Sequence, residues 1–176
     1  MADSSDTKSL TEKAEQAYKQ GDFEAAARLY GEAAAAFQTA GQAIDAAETQ
    51  NNQSVAFLQA GNPSSALQVV TGTASVFAAA GDSRRQGIAL ANEATPLETL
   101  GRLDEAVEKY REAAEAFHQA GEDQLRASVM QAAAGIHLRQ RKLFQALSDA
   151  RSGLSEVKNP TFTQKILRGL LRIRVW

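Results

Sequence analysis

The chain has 176 residues, of which 44% are apolar, 23% are charged and 6% are aromatic, and its formal net charge is −2. This length and composition fit one compact domain and exclude a collagen and a disordered chain. Because the chain has no cysteine, a disulfide scaffold and a Cys-ligated metal site are excluded as well. The first ten residues contain no apolar signal core and no apolar run reaches 18 residues, so we expect a soluble, cytoplasmic protein.

A polar start is followed by a regular series of glycines. Residues 1–7 predict a short disordered N-terminal segment. Each glycine of the series follows a stretch with helical periodicity, at a position where glycine commonly ends a helix. Every twenty-residue interval therefore predicts one helix of roughly 15 to 18 residues. The glycines of the series are Gly21, Gly41, Gly61, Gly81, Gly101 and Gly121.

Alternate intervals resemble each other more than neighbouring ones do, so the repeating unit is predicted to be a helical hairpin of 40 residues. Alanine five residues after the turn and phenylalanine sixteen after it recur in the second helices and predict close packing. These residues are Ala26, Ala66, Ala106 and Ala146, with Phe37, Phe77 and Phe117. The pattern favours an all-α fold of four stacked antiparallel hairpins, over about 8–40, 42–80, 82–120 and 122–158.

The three prolines predict local features of these helices. Asn62 before Pro63, and Asn159 before Pro160, are each typical of an N-cap followed by proline at the first helical position. Pro96 lies inside a predicted helix, five residues before its glycine, and is expected to kink or tighten the last turns.

The turn and second helix of the first and third hairpins resemble the tetratricopeptide repeat. The residues that carry the resemblance are Gly21, Phe23, Ala26, Tyr30 and Ala33, and again Gly101, Leu103, Ala106, Tyr110 and Ala113. The second copy departs at Val70 and Thr73, and the fourth has Arg141 where glycine is expected. The 40-residue period exceeds the family's usual length of about 34, as in tetratricopeptide-like proteins related to the SNAP membrane-fusion adaptors.

The resemblance covers about residues 8–158 and implies a right-handed α-solenoid whose first helices line a concave face. Asn52 and Asn92 lie at equivalent first-helix positions, and their amides suit the backbone of a bound peptide or helix. Local hydrogen bonding between adjacent turns is the alternative interpretation of both. The predicted partner-binding residues are Asn51, Asn52, Val55, Leu58, Asn92, Thr95, Gln131 and Arg139.

Catalytic motifs are missing from the sequence. The two histidines, His118 and His137, belong to no metal-spaced or triad pattern, and His137 is predicted to be packed near a hairpin interface. No glycine-rich phosphate loop occurs. We therefore expect no enzyme and no cofactor or metal, and no nucleic-acid binding either, because residues 1–138 carry a net charge of −9.

Residues 139–176 carry a net charge of +7. A helix is predicted from about Thr161, within a C-terminal segment of residues 160–176, and its basic residues are Lys165, Arg168, Arg172 and Arg174. This helix could cap the apolar end of the solenoid or contact anionic lipid or an acidic partner. A third interpretation is that the chain continues into further sequence.

Together these patterns predict a noncatalytic adaptor or scaffold that binds a peptide or helix of a partner protein in its concave groove. The alternative is a membrane-associated, SNAP-like or tail-anchored adaptor that uses the basic C-terminal helix. Self-association is a further prediction, since an acidic body could meet the basic end of another copy.

Overall fold

The protein is described from a computed structural model, which describes residues 4–155, 157, 160, 161, 164 and 165. Helices, and no strands, make up the secondary structure of these residues. The helices are α1 (Ser4–Lys19), α2 (Phe23–Thr39), α3 (Ala43–Gln59), α4 (Pro63–Val70), α5 (Thr73–Ala79), α6 (Ser83–Thr99), α7 (Leu103–Gln119), α8 (Asp123–Arg139) and α9 (Leu143–Leu154).

Consecutive helices pack against one another in hairpins. We call α1, α3, α6 and α8 the first helices and α2, α4–α5, α7 and α9 the second helices. Each first helix contacts the second helix that follows it and, from α3 onward, the second helix before it. Since contacts follow chain order in this way, the fold is the predicted all-α stack of antiparallel hairpins.

The periodic glycines end the helices as predicted. Gly21, Gly41, Gly61, Gly81, Gly101 and Gly121 all have φ between +71° and +82°. At Gly21 the backbone N–H donates to Tyr18 O and the N–H of the next residue donates to Ala17 O, each at 3.0 Å. This pair of bonds is the Schellman arrangement, which needs a left-handed residue at that position. The other five turns repeat it.

Arg141 occupies the seventh turn of the series. It has φ +59°, the one positive φ of a non-glycine residue within the described part of the chain. Its N–H donates to Leu138 O, and the N–H of Lys142 donates to His137 O, as in the glycine turns. The fourth repeat therefore keeps the turn geometry although it lacks the glycine.

The second hairpin departs from the prediction of one helix per interval. Its second helix is broken between Val70 and Thr73, where Gly72 has φ +88° and Thr71 is extended, with ψ 126°. The Thr71 hydroxyl donates to Leu67 O at 2.7 Å and the Thr73 hydroxyl to Val70 O at 2.8 Å. Two threonines that bond the preceding turn, with a left-handed glycine between them, divide this helix into α4 and α5.

Small residues let the helices approach closely. Ala26, Ala66, Ala106 and Ala146 are all buried, as the repeat predicted. A Cβ atom at Gly87 of α6 would lie 2.7 Å from the ring of Phe117, and both Phe77 and Phe117 are buried. Pro96 lies buried within α6, which continues through it to Thr99.

The described helices begin closer to the N-terminus than the sequence predicts. Helix α1 begins at Ser4, inside residues 1–7, which the sequence predicts to be a short disordered segment. Near the other end, Pro160 is not helical, and Asn159, the predicted N-cap before it, lies outside the described residues.

Thr161 and Gln164, within the segment 160–176 where a C-terminal helix was predicted, form a capping box. The Gln164 N–H donates to the Thr161 hydroxyl, and the Thr161 N–H donates to Gln164 Oε1 at 2.8 Å. Gln164 also donates to Gln124 Oε1 of α8 at 3.2 Å. Residues 166–176 lie outside the described part of the chain.

Candidate binding groove

A groove runs along the first helices α1, α3 and α6. It consists of two adjoining hollows of about 320 and 250 Å³. Glu48 and Asn52 of α3 line both hollows. Helix α1 forms the other wall of the first hollow, and α6 forms the other wall of the second. Phe37 of α2 lines the first hollow, and Phe77 of α5 lines the second. We call the two hollows together the first-helix groove.

Asn52 and Asn92, two of the predicted contact residues, both line the hollow between α3 and α6. Asn52 is exposed, and Asn92 is half-buried in the hollow between α3 and α6. Asn92 Nδ2 donates to Asn51 Oδ1 at 3.1 Å. The amide of Asn92 is therefore partly used inside the protein, whereas Asn52 offers its amide to the groove.

Asn51, another predicted contact residue, lines the hollow between α3 and α6 but is bonded within the fold. Its side chain is buried, with 6% of the residue exposed, and Nδ2 donates to Ala47 O at 2.8 Å and to the Thr73 hydroxyl at 3.0 Å. Because its oxygen also accepts from Asn92, the whole amide is satisfied within the fold. Asn51 thus joins α3, α5 and α6 beneath the groove instead of presenting a group to a partner.

The charge of the groove changes along its length. The hollow against α1 is lined by four carboxylates, Glu12, Glu15, Asp45 and Glu48, and by Lys8. In the next hollow Arg85 Nη1 donates to Glu48 at 3.2 Å, and its guanidinium lies 5.3 Å from the centre of the Phe77 ring. The groove is therefore acidic at the α1 end and mixed at α6.

Arg85 also orders the start of α6. The backbone N–H of Arg85 and its guanidinium both donate to Asp82, at 2.8 and 2.6 Å. These hydrogen bonds stabilise the ionised carboxylate and lower the pKa of Asp82 below its usual value. Asp82 is the N-cap of α6, so the cap and the groove share one arginine.

The remaining predicted contacts lie elsewhere on the first helices. Thr95 is exposed, and its hydroxyl donates to Ala91 O, while the exposed Arg139 pairs with Glu98. Glu98 also accepts from Tyr110, whose pKa is raised mainly by burial. Val55 and Leu58 are half-buried and Gln131 is exposed, and none of the three lines either hollow.

A second groove of about 620 Å³ lies on the opposite side of α6, between the α4–α5 break and α7. Glu93 lies in it with 12% of its side chain exposed, and Lys109 Nζ is 3.8 Å from Glu93 Oε1. Burial raises the pKa of Glu93, and this outweighs the nearby lysine. The equivalent residue of the preceding repeat, Gln53, instead donates to Ala27 O at 3.0 Å.

His137 is packed as predicted, but its partners were not foreseen. His137 Nδ1 lies 2.7 Å from Asp149 Oδ2, and Arg111 donates to Asp149 Oδ1 at 3.0 Å. The three residues come from α8, α9 and α7, and both His137 and Asp149 are buried. In the other copies the position of Asp149 holds Leu29, Val69 and Lys109, which is the signal that could have identified it.

Two observations concern other kinds of site. In the part of the chain that the structure describes, His, Asp and Glu side chains nowhere form a group of three that could hold a metal ion. Across that same part, every helix is too short or too polar to cross a bilayer. Of the predicted basic tail residues, Lys165 is described and exposed, whereas Arg168, Arg172 and Arg174 lie outside the described residues.

The sequence and fold match known proteins. The family model of the soluble NSF attachment protein, SNAP, matches residues 3–165. A comparison with curated proteins gives no significant match.

Solved structures share the fold at low sequence identity. BtubC (BKLC) from P. vanneervenii is 19% identical with a TM-score of 0.73, over 92% of this chain and 70% of that one. A putative kinesin light chain from Podosopora anserina with nearly identical TPR-like repeats is 14% identical with a TM-score of 0.75, over 97% and 87%. A point variant of that kinesin light chain is 14% identical with a TM-score of 0.54, and the match covers 94% of this chain and 92% of that one. The chain is therefore similar to solenoids of TPR-like repeats.

Proposed function

The chain belongs to the soluble NSF attachment protein (SNAP) family, and from this premise we propose that it is a noncatalytic adaptor that binds a segment of a partner protein in the first-helix groove. Its TPR-like helical repeats are of a kind that generally serves protein interaction. The finer proposal is that the bound segment is a peptide or a helix, and that it lies across α1, α3 and α6.

The position of Asn52 is the observation that carries this proposal. This residue is exposed, lines both hollows and sits at the centre of the groove. An amide donates and accepts at once, so it can bond a peptide backbone without regard to the partner's side chains. The surrounding carboxylates and Arg85 then select among partners by charge.

Groove residues also have the support that a binding surface needs. Asn51 fixes the relative position of α3 and α6 through Asn92, and the Arg85–Glu48 pair joins the same helices at the surface. A groove held by buried hydrogen bonds loses little conformational freedom when a partner binds. We therefore expect the two hollows to keep their shape in the complex.

Site-specific photocrosslinking tests the groove. The chain contains no cysteine, so Asn52→Cys gives a single attachment point for a photoreactive label. Gln68→Cys, at an exposed position on α4, is the matched control. With extract of the native host, we expect crosslinked partner from the Asn52 position and little from the Gln68 position. Equal crosslinking from both, with helicity retained, would reject the groove as the binding surface.

A further inference from the structure

The groove of about 620 Å³ between the α4–α5 break and α7 lies on the side of α6 that faces away from the first-helix groove. We call it the outer groove. Ligand sites commonly measure roughly 300–1,000 Å³, so it can hold a side chain together with part of the segment that carries it. Its lining combines charged residues of α6 and α7 with apolar residues of α5 and α6: Glu93, Lys109, Glu112, Ala74, Ala78 and Leu90.

The Glu93 carboxylate has unused hydrogen-bonding capacity in the outer groove. With 12% of its side chain exposed, it lies 3.8 Å from Lys109 Nζ, which is too far for a hydrogen bond. Lys109 donates instead to Glu112 Oε2 at 3.1 Å. None of the residues that the structure describes donates a hydrogen bond to Glu93, and Glu115 adds a third carboxylate to the lining. The outer groove is therefore acidic, and its most buried acceptor is available to a donor from another molecule.

The next groove of the repeat, between α7 and α9, shows how a guanidinium can fill such a space. Its volume is about 320 Å³, and most of its lining residues are the 40-residue equivalents of residues that line the outer groove. Arg111 of α7 reaches across it and donates to Asp149 of α9 at 3.0 Å. The place of Arg111 is held in the outer groove by Thr71, and no arginine lines that groove among the described residues. The outer groove thus has a buried carboxylate without a guanidinium of its own.

The preceding repeat fills the place of Glu93 with a neutral side chain. Gln53 donates to Ala27 O at 3.0 Å, and a Cβ atom at Gly31, the equivalent of Thr71, would lie 2.5 Å from Gln53 Nε2. An ionised glutamate cannot donate in this way, and its burial opposes folding. A residue that costs stability at a place where a neutral one fits is typical of a binding site.

An arginine side chain is complementary to both parts of the outer groove. Its methylene stem can pack against Ala74, Ala78 and Leu90, while its guanidinium presents several N–H donors in one plane. Glu93 and Glu112 both lie within the reach of Lys109, so one planar group placed between them can donate to each.

We propose that the outer groove binds an arginine side chain of a partner protein, whose guanidinium donates to Glu93 and whose stem lies against the apolar surface of α5 and α6. This inference goes beyond the proposed function, because it adds a second contact surface on the other side of α6. It does not require the first-helix groove to bind.

The ligand chemistry is tested by calorimetric titration of the intact chain with a short designed peptide that has a single arginine in an otherwise neutral sequence. The control peptide has citrulline in place of arginine, which keeps the shape of the side chain and removes its charge. We expect the arginine peptide to bind at least about tenfold more tightly. Equal binding of the two peptides would overturn the proposal.

Glu93→Gln locates the contact. Gln53 shows that glutamine fits the equivalent place, so the variant should fold, and we expect it to lose about tenfold in affinity for the arginine peptide. Glu24→Gln makes the same charge change at an exposed position of α2 outside both grooves, and should leave the affinity unchanged. If the two variants act alike, the peptide is attracted by the net charge of the chain and the inference fails.

Thr71→Arg supplies from the chain itself the guanidinium that Arg111 supplies in the next groove. We expect this variant to occupy the outer groove and to lose the arginine peptide, whereas Thr71→Ala, with the same loss of the hydroxyl, should still bind it. Circular dichroism checks that both variants keep the helicity of the parent. Equal affinity of the two variants would contradict the assignment of the site.

Two further outcomes would also reject the inference. If Asp45→Asn weakens binding of the arginine peptide and Glu93→Gln does not, the arginine lies in the first-helix groove. If agmatine, which has the guanidinium but no peptide, binds as tightly as the arginine peptide, the outer groove takes small cations instead of a protein segment. The Asn52 crosslinks test the proposed function separately, because Asn52 does not line the outer groove.

Discussion

At the scale of single residues, the seven turns form a natural comparison of glycine with another residue in one conformation. Six turns have glycine and the seventh has Arg141, yet all seven make the same pair of backbone bonds. A residue with a Cβ atom is disfavoured in the left-handed region by about 1–2 kcal/mol. The packing of α8 on α9 therefore holds Arg141 in a conformation that its own backbone opposes.

Arg141→Gly is expected to stabilise the protein. Removing the Cβ atom relieves the strain of the left-handed conformation, whereas glycine has more freedom in the unfolded chain, which opposes this gain. The net free energy of unfolding should rise by about 0.5–1 kcal/mol. Chemical denaturation measures the change. Gly121→Ala is the reverse control and should lose about 1 kcal/mol, because no atom lies within 4 Å of a Cβ built there and strain alone acts. A loss on Arg141→Gly would contradict this account.

Glu93→Gln is expected to remove the loss of folding stability that the buried, ionised Glu93 carboxylate causes at higher pH. Burial raises the pKa of folded Glu93 above its usual 4.5, so the folded chain binds this proton more tightly than the unfolded chain does. The stability that Glu93 contributes is thus present below pH 4.5 and lost as the pH rises through the folded pKa. The variant should gain stability relative to the parent over that pH window and keep the gain at pH 7.

Denaturation curves between pH 4 and pH 7 test this. Glutamine is already the residue at the equivalent Gln53, so its shape fits the site. Glu115→Gln, an exposed change on the wall of the same groove, serves as the control. A constant difference across the pH range would show that the effect of Glu93 is steric.

At the scale of elements, the break between α4 and α5 shows where periodicity stops being informative. Glycine inside a helix costs only about 1 kcal/mol, so Gly72 alone does not predict a break. Threonine hydroxyls can bond a helix without breaking it, as Thr95 does with Ala91 O. The break follows from the combination with Asn51, a residue 22 positions away that bonds Thr73. Such a tertiary contact is invisible to a local pattern.

Asn51→Ala and Asn52→Ala should therefore behave differently although they are neighbours. Asn51→Ala removes the partner of Thr73 and leaves the Asn92 amide without its acceptor, which should cost about 2 kcal/mol of unfolding free energy. Asn52→Ala should change stability by no more than about 0.5 kcal/mol, because Asn52 is exposed. Thermal denaturation of the two variants distinguishes the roles, and equal losses would contradict the assignment of Asn51.

At the scale of the whole molecule, the features that recur with the repeat were predicted from the sequence. Contacts made by residues that differ from their equivalents in the other repeats were not. The periodic glycines located the six turns from Gly21 to Gly121 that end helices in the Schellman arrangement, but not the break at Gly72, and Asn52 and Asn92 both line the hollow between α3 and α6. The burial of Asn51 was not predicted, because a linear pattern does not show which of two adjacent amides is buried. The ion cluster at Asp149 was missed because its partners lie 12 and 38 residues away.

That cluster makes a prediction about how the stack unfolds. Asp149 joins α7, α8 and α9 by accepting from Arg111 and contacting His137. Asp149→Ala leaves the buried His137 without its partner and removes one of the two carboxylates that Arg111 contacts, and should cost about 3 kcal/mol. The main helix contacts in the described part of the chain lie within one hairpin or between adjacent hairpins, so the loss should be local. Hydrogen exchange should speed up in α8 and α9 and stay unchanged in α1 and α2.

Asp104→Ala is the matched control, because Asp104 also bonds the fourth hairpin, through Gln140 and Lys142, but is exposed. Its loss should not exceed about 1 kcal/mol, since exposed ion pairs contribute little. If Asp149→Ala instead speeds exchange evenly from α1 to α9, the hairpins unfold as one cooperative unit. Opening of α8 and α9 would then be accompanied by opening of the first-helix groove. Exchange confined to α8 and α9 means that the groove keeps its shape while the far end opens.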